Sequence, residues 1–421
     1  MTLTRARIVL LLAALVFLPR LFLAWYLGLS GNPEIWEYDV IGACIHAGLG
    51  HIYEINGLRY LAYAPPLWSF LLAALMSLPG ESRGWVQVAQ AVFCLGAALV
   101  AVPLGRRLTG RTEVGVAGGV LIALQPSLLY YSVVKSDPLP LNVFLLALIA
   151  LAGLQTLEAP SMRHGVAFGL VTALGTLSRG TPLVALPVLA VLLAARFRRQ
   201  ALVPALGALF AFAAVVAPWL VRNALAVGAP ILTSTTGENL WRGNNEAATG
   251  GAFDVAGNSL SVASADPSVF PPSVRSALAS GTELERQEAF LGEAIRFVRE
   301  HPRDALRLFL RKLRILWWRL ESDPGDYWPR AAETYEWIYR TELALAILGV
   351  WTLWRARAGV SLDSVRNGIS YVILLVLALG ALQALFYVQG RHRFLMEPLL
   401  LIFTASGAAA VARRLVPPRQ P

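Results

Sequence analysis

The chain has 421 residues, of which 56% are hydrophobic and only 15% charged, with a mean hydropathy of +0.58. Soluble domains average about 45–50% apolar and about 25% charged residues, so the composition excludes a disordered chain and argues against a soluble globular enzyme. The net charge is +10 and there are two cysteines, without CxxC or Cys/His spacing. That excludes a disulfide-stapled domain and a metal–thiolate site. Lys135 and Lys312 are the only lysines. The many arginines stand between long apolar runs rather than among aromatics, a membrane-topology pattern and not a nucleic-acid footprint, so no nucleic-acid partner is expected.

A spanning helix needs about 20 apolar residues. Full-length candidates are 8–30, 85–104, 114–134, 138–158, 202–221, 338–354, 369–389 and 394–411, with shorter runs at 165–178 and 181–195 meeting at Ser178-Arg179-Gly180. The first run follows Arg5 and Arg7 like a signal peptide but lacks an A-x-A site, so it reads as an uncleaved helix. The run 66–79, opening at Pro65-Pro66, is too short for a span and reads as a re-entrant or interfacial helix. Ten crossings then keep Arg106/Arg107/Arg111, Arg163, Arg196/Arg198/Arg199, Arg355/Arg357/Arg366 and Arg413/Arg414 on the inner side with both termini; an eleventh would place Arg106 and Arg107 outside. The expectation is an all-α polytopic membrane protein with about 10–11 transmembrane helices and a periplasmic loop region. Its divisions are an N-terminal bundle (1–221) with a first outer loop (31–65), a second outer region (222–337), C-terminal helices (338–415) and a disordered tail (416–421). The expected location is a bacterial plasma (inner) membrane, with cytoplasmic termini.

In the region 222–337, Thr282-x-x-Glu285 forms a capping box ahead of Ala289–Val298. After Pro302, Arg303, Arg307, Arg311 and Arg314 fall on one helix face, with Leu306, Phe309, Leu310, Leu313, Leu316 and Trp317 over most of the rest. This reads as a basic amphipathic helix on the membrane surface, anchored by Trp317 and Trp318.

Short outer turns should be poor in arginine and lysine, yet these turns carry Lys135, Asp137, Arg179, Arg391, His392 and Arg393. Such violations mark candidate functional positions. The first outer loop holds Glu34, Glu37 and Asp39 within six residues. On a short helix Glu34 and Glu37 share a face, with Asp39 near its edge. Acids this close raise at least one pKa, which suits a general base; helix-dipole compensation in a first turn fits the same residues equally. Asp137 before Pro138 is also a natural N-cap. Lys135, Arg59, Arg391 and Arg393 are candidate phosphate ligands. Tyr63 can stack on a sugar or belong to an interfacial aromatic belt. Arg222, Asn244 and Asn245 sit in Gly/Asn-rich turns that fit a sugar, a phosphate or ordinary turn chemistry. No metal cluster is visible and no cofactor is implied, so a divalent metal has no support in the sequence.

The chain resembles the GT-C superfamily of integral-membrane glycosyltransferases, and within it the bacterial members related to protein O-mannosyltransferases and lipid A aminoarabinose transferases. The stretches that carry the likeness, in order, are Glu37-Tyr38-Asp39 with Ala43, Gly48 and Gly50; Tyr63-Ala64-Pro65-Pro66-Leu67; Ser136-Asp137-Pro138; Leu177-Ser178-Arg179-Gly180; Arg222-Asn223 through Gly228; Thr235 to Leu240 leading to Gly243-Asn244-Asn245; His301-Pro302 with Lys312; and Arg391 to Pro398. The resemblance implies inverting sugar transfer from a polyprenyl-phosphate donor to a lipid, glycan or protein acceptor hydroxyl on the periplasmic side. It implies Glu37 or Asp39, with Glu34 an alternative, as the base. Asp137 would lie near the donor or the base. Arg391 and Arg393 would hold the donor phosphate, ahead of Lys135 and Arg59. Membrane lipids are the remaining expected partner. The alternatives are a transporter or flippase of lipid-linked saccharides, which would need polar groups at mid-bilayer and repeat symmetry, and a non-catalytic envelope-assembly protein.

Overall fold

The computed structural model describes residues 4–320, 327, 329–355 and 362–415. The expected disordered tail 416–421 and Arg357 lie outside the described residues. In chain order the helices are α1 (Arg5–Tyr26), α2 (Glu37–His46), α3 (Pro66–Met76), α4 (Ser82–Thr109), α5 (Thr112–Leu124), α6 (Pro126–Val133), α7 (Leu139–Glu158), α8 (Met162–Ser178), α9 (Ala185–Phe197), α10 (Leu202–Val227), α11 (Thr236–Gly243), α12 (Pro272–Ser280), α13 (Glu283–Glu300), α14 (Pro302–Trp318), α15 (Pro329–Arg355), α16 (Leu362–Gln383), α17 (Gly390–Phe394) and α18 (Glu397–Leu415). A hairpin, β1 (Tyr53–Ile55) and β2 (Leu58–Tyr60), interrupts the first loop.

The expected apolar runs are largely helical, although 369–389 leaves the helix after Gln383. In α1 the buried side chains are Leu12, Val16, Arg20 and Ala24, a stripe at i+4, while Leu10, Leu18, Leu21 and Phe22 point outward. An outward leucine surface suits lipid, where apolar burial no longer drives helix association and close backbone packing takes over. The glycines supply that closeness. A Cβ at Gly165 or Gly169 of α8 would collide with the backbone of α10 at Pro204 or Ala208, and one at Gly349 or Gly407 would do so between α15 and α18. Helix α7 is buried nearly all round and forms the centre of the bundle.

Among the described residues, six helical stretches are long and apolar enough to cross a membrane, seven if the bent α5–α6 pair is one span. One of the six, Thr181–Val227, contains both α9 and α10. The 11-residue α3 is too short to cross. The expected span 114–134 breaks by 46° at Gln125-Pro126. Pro126 has no N–H to continue the helix and forces Gln125 out of helical conformation. The carbonyl of Ala123 accepts instead from Arg20, whose guanidinium also bonds Ser132 Oγ at 2.8 Å and the Val16 carbonyl. Arg20 is thus a buried charge inside the first span, a position the surface-clustered polar pattern read from the sequence left out. The divisions at 221/222 and 337/338 both fall within helices, since α10 runs on to Val227 and α15 begins at Pro329.

The second outer region packs a small core of its own from Trp241, Leu260, Val262, Phe270, Val274, Phe290 and Ala294. The capping box forms as expected: Thr282 Oγ1 accepts from Glu285 N–H, and the Glu285 carboxylate accepts from Thr282 N–H at 2.7 Å. The hairpin turns at Asn56-Gly57, both at positive φ (52° and 76°), the conformation that a two-residue turn of matching twist requires. Asn56 Nδ2 donates to Val262 O at 2.9 Å, and the Glu283 carboxylate accepts from Leu61 and Ala62 N–H at 2.6 and 2.9 Å. These bonds fasten the two outer segments into one body above the bundle.

Candidate active site

The site forms where four connections meet: the α1–α3 loop, the α6–α7 turn, the α8–α9 turn and the stretch from α16 to α17. Trp36 is extended, and its N–H donates to Asp39 Oδ2 at 3.0 Å, which starts α2 at Glu37. Asp39 Oδ1 accepts from Ser136 Oγ at 2.7 Å. Glu34 and Lys135 form a parallel bridge, with Glu34 N–H donating to Val134 O and Ser136 N–H to Glu34 O. The first loop is therefore stitched to the α6–α7 turn. That turn is held from below by Gln90 of α4. Its amide donates to the Tyr131 and Lys135 carbonyls and accepts from Asp137 N–H at 2.9 Å. Asp137 Oδ1 accepts from Leu139 N–H at 2.8 Å and so caps the entry to α7.

Arginines approach from the other side. Arg179 ends α8 and donates to Gln383 Oε1 at 3.3 Å; Gln383 donates in turn to the Tyr387 carbonyl. Arg391 donates to Tyr387 Oη at 3.4 Å. The guanidinium of Arg242, on α11, lies 3.9 Å from the centre of the Tyr387 ring. A Cβ on the neighbouring Gly243 would strike the Phe386–Tyr387 backbone, so only glycine permits this approach. His392 Nδ1 accepts from Gln389 N–H at 3.1 Å and packs edge-on to Tyr387, a capping role for α17.

Glu37, Asp137, Arg179 and Arg391 are each half-buried. Desolvation raises the Glu37 pKa above the ordinary carboxylate value; its own helix-terminal N–H and Arg391 pull it down, while Asp137 and Asp39 push it up. Desolvation also raises Asp137 against the opposing pull of Arg391, the Leu139 N–H and Arg179. Asp39 is raised by burial despite its bonds to Trp36 and Ser136. Burial alone would disfavour charge on Arg391, but Tyr387, Tyr131, Asp137 and Glu37 hold it firmly cationic. Among the described residues, no side chain hydrogen-bonds the Glu37 carboxylate. The cluster thus sets a carboxylate that takes no side-chain hydrogen bond among the described residues in the field of a firmly cationic arginine: a proton acceptor near an anion-binding group.

The sequence-derived candidates divide on this geometry. Glu37, Asp137 and Arg391 come together. Asp39 adjoins them, but both its oxygens are engaged in positioning the loop. Glu34 does not share the α2 face: it precedes the helix and pairs with Lys135 at 3.8 Å. Lys135 is buried, with its ammonium 4.7 Å from the Trp36 ring centre, at the edge of the acidic cluster. Arg393 turns away from the pocket. It is 1% exposed, bonds Glu397 at 2.9 Å and lies 3.8 Å from the Tyr339 ring centre, so its contacts are with a separate buried network. Arg59 is an exposed hairpin residue near Glu54 and lies outside the site.

Arg222 bonds the Leu61 carbonyl and Asn223 Oδ1, and Asn244 Nδ2 bonds the Leu240 and Leu385 carbonyls. Asn245 Nδ2 bonds the Trp241 carbonyl. These three hold loops rather than offering their donors to a sugar. Tyr63 packs tilted against Tyr53 and edge-on to Tyr60, with ring centres 4.5 and 5.3 Å apart, on the Glu37 side. The sequence assigned no binding role to Arg179, Arg242 or Tyr387. Arg179 had a legible signal, a cation in a short outer turn; Tyr387, inside an apolar run, had none. Among the described residues no group of three or more His, Cys, Asp or Glu side chains is arranged to hold a metal.

The family model for dolichyl-phosphate-mannose-protein mannosyltransferases matches residues 63–221, less than half of the chain. No curated protein sequence matches significantly. Among solved structures, the chain is similar to the oligosaccharyltransferase AglB of Archaeoglobus fulgidus in complex with an inhibitory peptide and a dolichol-phosphate: TM-score 0.53 and 13% identity, covering 98% of this chain and 52% of that one. It is also similar to an oligosaccharyltransferase from the same organism tethered to an acceptor peptide, with TM-score 0.51 and 14% identity over 92% of this chain and 46% of that one. ArnT of Cupriavidus metallidurans bound to undecaprenyl phosphate aligns with TM-score 0.44 and 15% identity over 98% of this chain and 80% of that one. The chain spans about half the length of the two archaeal proteins, and at these identities the likeness is one of fold. Residues 63–221 match that family model, the fold is shared with the two archaeal oligosaccharyltransferases, and the apolar helices make the chain a multi-pass membrane protein.

Proposed function

We propose that this GT-C membrane protein transfers a sugar from a polyprenyl-phosphate donor to an acceptor hydroxyl on the outer, periplasmic side, with Glu37 as the base. The reading rests on the meeting of Glu37, Asp137 and Arg391 in one half-buried pocket built from separate outer connections. It takes ten crossings, with α8, α9, α10 and α15 each crossing once. The acceptor O–H gives its proton to Glu37 as its oxygen attacks the anomeric carbon. The bond from that carbon to the phosphate oxygen breaks, and the electron pair leaves with the polyprenyl phosphate. Arg391, with Arg179 beside it, neutralises the charge that develops there. Asp137 favours the charge on Arg391 and caps α7. Asp39 sets the register of Glu37 through Trp36 and Ser136.

The test is transfer of a radiolabelled sugar from synthetic polyprenyl phosphate by the purified, reconstituted protein, with candidate acceptors supplied separately. Transfer in the wild type and its loss in Glu37→Gln, with the fold intact, is the expected result. Undiminished transfer in Glu37→Gln overturns the base assignment, and no transfer from any polyprenyl-phosphate sugar overturns the donor class.

A further inference from the structure

Helix α14 is the largest charged feature that the pocket leaves unused. Its inward face is fixed: Lys312 is fully buried, donating to Gly243 O and Asn244 Oδ1 at 3.1 Å and towards Leu385 O at 3.4 Å, and Ile315 and Leu316 are buried beside it. The outward half is divided lengthwise. At 100° per residue, Arg303, Arg307, Arg311 and Arg314 fall within one narrow stripe. Leu306 and Leu310, with the half-buried Leu313, form a second stripe directly beside it, and Trp317 continues it onto the bundle core. All four arginines are exposed, and Leu306 and Leu310 are 59% and 57% exposed. Among the four, Arg307 alone pairs with an acid within the described residues, the exposed Asp304 one turn back.

An independent marker gives the level of the membrane surface. At the end of α14, Trp318 is 53% exposed; on α15, Trp337 is 68% exposed. The Arg340 guanidinium lies 5.8 and 5.4 Å from their two ring centres. Exposed indoles beside an arginine are the composition of a membrane–water interface, and the proposed topology has α15 cross the membrane from there. Helix α14 ends at that level, with Leu306 and Leu310 exposed along its outward side.

We propose that α14 lies in the outer-leaflet headgroup layer and binds anionic phospholipid, the leucine stripe entering the acyl boundary and the arginine ladder holding headgroup phosphates. Charge complementarity commits the surface to this occupant, because four arginines would repel a cationic partner, and the adjoining apolar stripe suits lipid tails. The surface also connects to the pocket. Arg393 Nη1 donates to the carbonyls of Leu316 and Arg319 at the end of α14, two residues from Arg391.

The full-length protein, reconstituted in phosphatidylcholine nanodiscs with or without phosphatidylglycerol, provides the test. A nitroxide is placed at Leu310 or at Arg307 in a background lacking Cys44 and Cys94. Position 310 should be accessible to oxygen and shielded from a water-soluble nickel complex, and position 307 more accessible to the nickel. Native mass spectrometry should show phosphatidylglycerol retained by the wild type, with preference reduced on the order of tenfold when all four arginines become glutamine. Retained helicity and monodispersity serve as the fold control, and neither readout depends on sugar transfer. Equal nickel accessibility at both positions overturns the proposal. So does unchanged phosphatidylglycerol preference in the glutamine variant, or a ladder that retains polyprenyl phosphate alone.

Discussion

Two clusters of buried charge lie only a few residues apart, and they differ in whether their hydrogen bonds are closed. Arg393 and Glu397 are each 1% exposed, and their partners are all protein groups. Glu397 accepts from Arg393, Gln125, Ser127 and Tyr335, and Arg393 donates onward to Leu316 and Arg319. Nothing is left over for a ligand. The Glu37–Asp137–Arg391 cluster is half-buried, its charges face one another, and Glu37 lacks a side-chain hydrogen bond among the described residues. A closed network fixes helices, whereas an open one keeps lone pairs and cations for a substrate at the cost of desolvating them. The same residue type, arginine, does both jobs two positions apart.

The largest effect that would sharpen this contrast is on rate. Glu37→Gln is nearly isosteric and should lower transfer by about 10²–10⁴, the usual contribution of a positioned base, while the protein remains folded by circular dichroism and size exclusion. An equal loss of folded protein would put Glu37 in the structural class with Glu397. The second effect is on stability. Arg393→Met leaves Glu397 charged and unpaired and should destabilise by about 3–5 kcal/mol, whereas replacing both partners with apolar residues should restore much of the loss. Thermal unfolding in detergent measures both, and an additive double variant would show that the pair is not a closed unit.

How far these differences were legible depended on the kind of signal. Most apolar runs long enough to span, the Thr282–Glu285 box and the arginine period of α14 are local patterns, and these became helices or caps where expected, the break at Gln125-Pro126 apart. The sequence placed Arg391 and Arg393 together as phosphate ligands because it carries their spacing but not their directions. On the five-residue α17 they diverge, and the acid that claims Arg393 lies one helical turn further on. Glu34 failed for a related reason: Asp39 closes the α2 terminus on Trp36, so the helix starts too late to include it. Arg242 and Tyr387 meet only through tertiary packing across Gly243.

A third prediction concerns pH. A base must be ionised, and desolvation at the site holds the Glu37 pKa above its ordinary value of 4.5. Activity should therefore be fully present at alkaline pH and fall away as pH drops through a value above 4.5. Arg391 favours the ionised form, so Arg391→Gln should move this acid limb to higher pH as well as slow transfer by about 10²-fold through lost charge stabilisation. The corresponding Arg393 variant should leave the limb where it is. A limb unmoved by Arg391→Gln would detach Arg391 from Glu37 and remove the open cluster as a functional unit.

The smallest effect tests the border between the two classes. Asp39 is an acid of the first loop and adjoins the pocket, yet its oxygens are taken by Trp36 N–H and Ser136 Oγ. Asn keeps a side-chain oxygen for the Trp36 N–H, so Asp39→Asn should retain α2 and lose only the charge. Asp39→Ala loses the cap as well, at about 1 kcal/mol. If Asp39 only positions Glu37, Asn should preserve most of kcat and shift the acid limb slightly downward, because one neighbouring negative charge has gone. If Asp39 were the base, Asn would be as inactive as Glu37→Gln and the limb would vanish with it. The pH profile of this one variant therefore decides which acid of the Glu-x-Asp pair takes the proton.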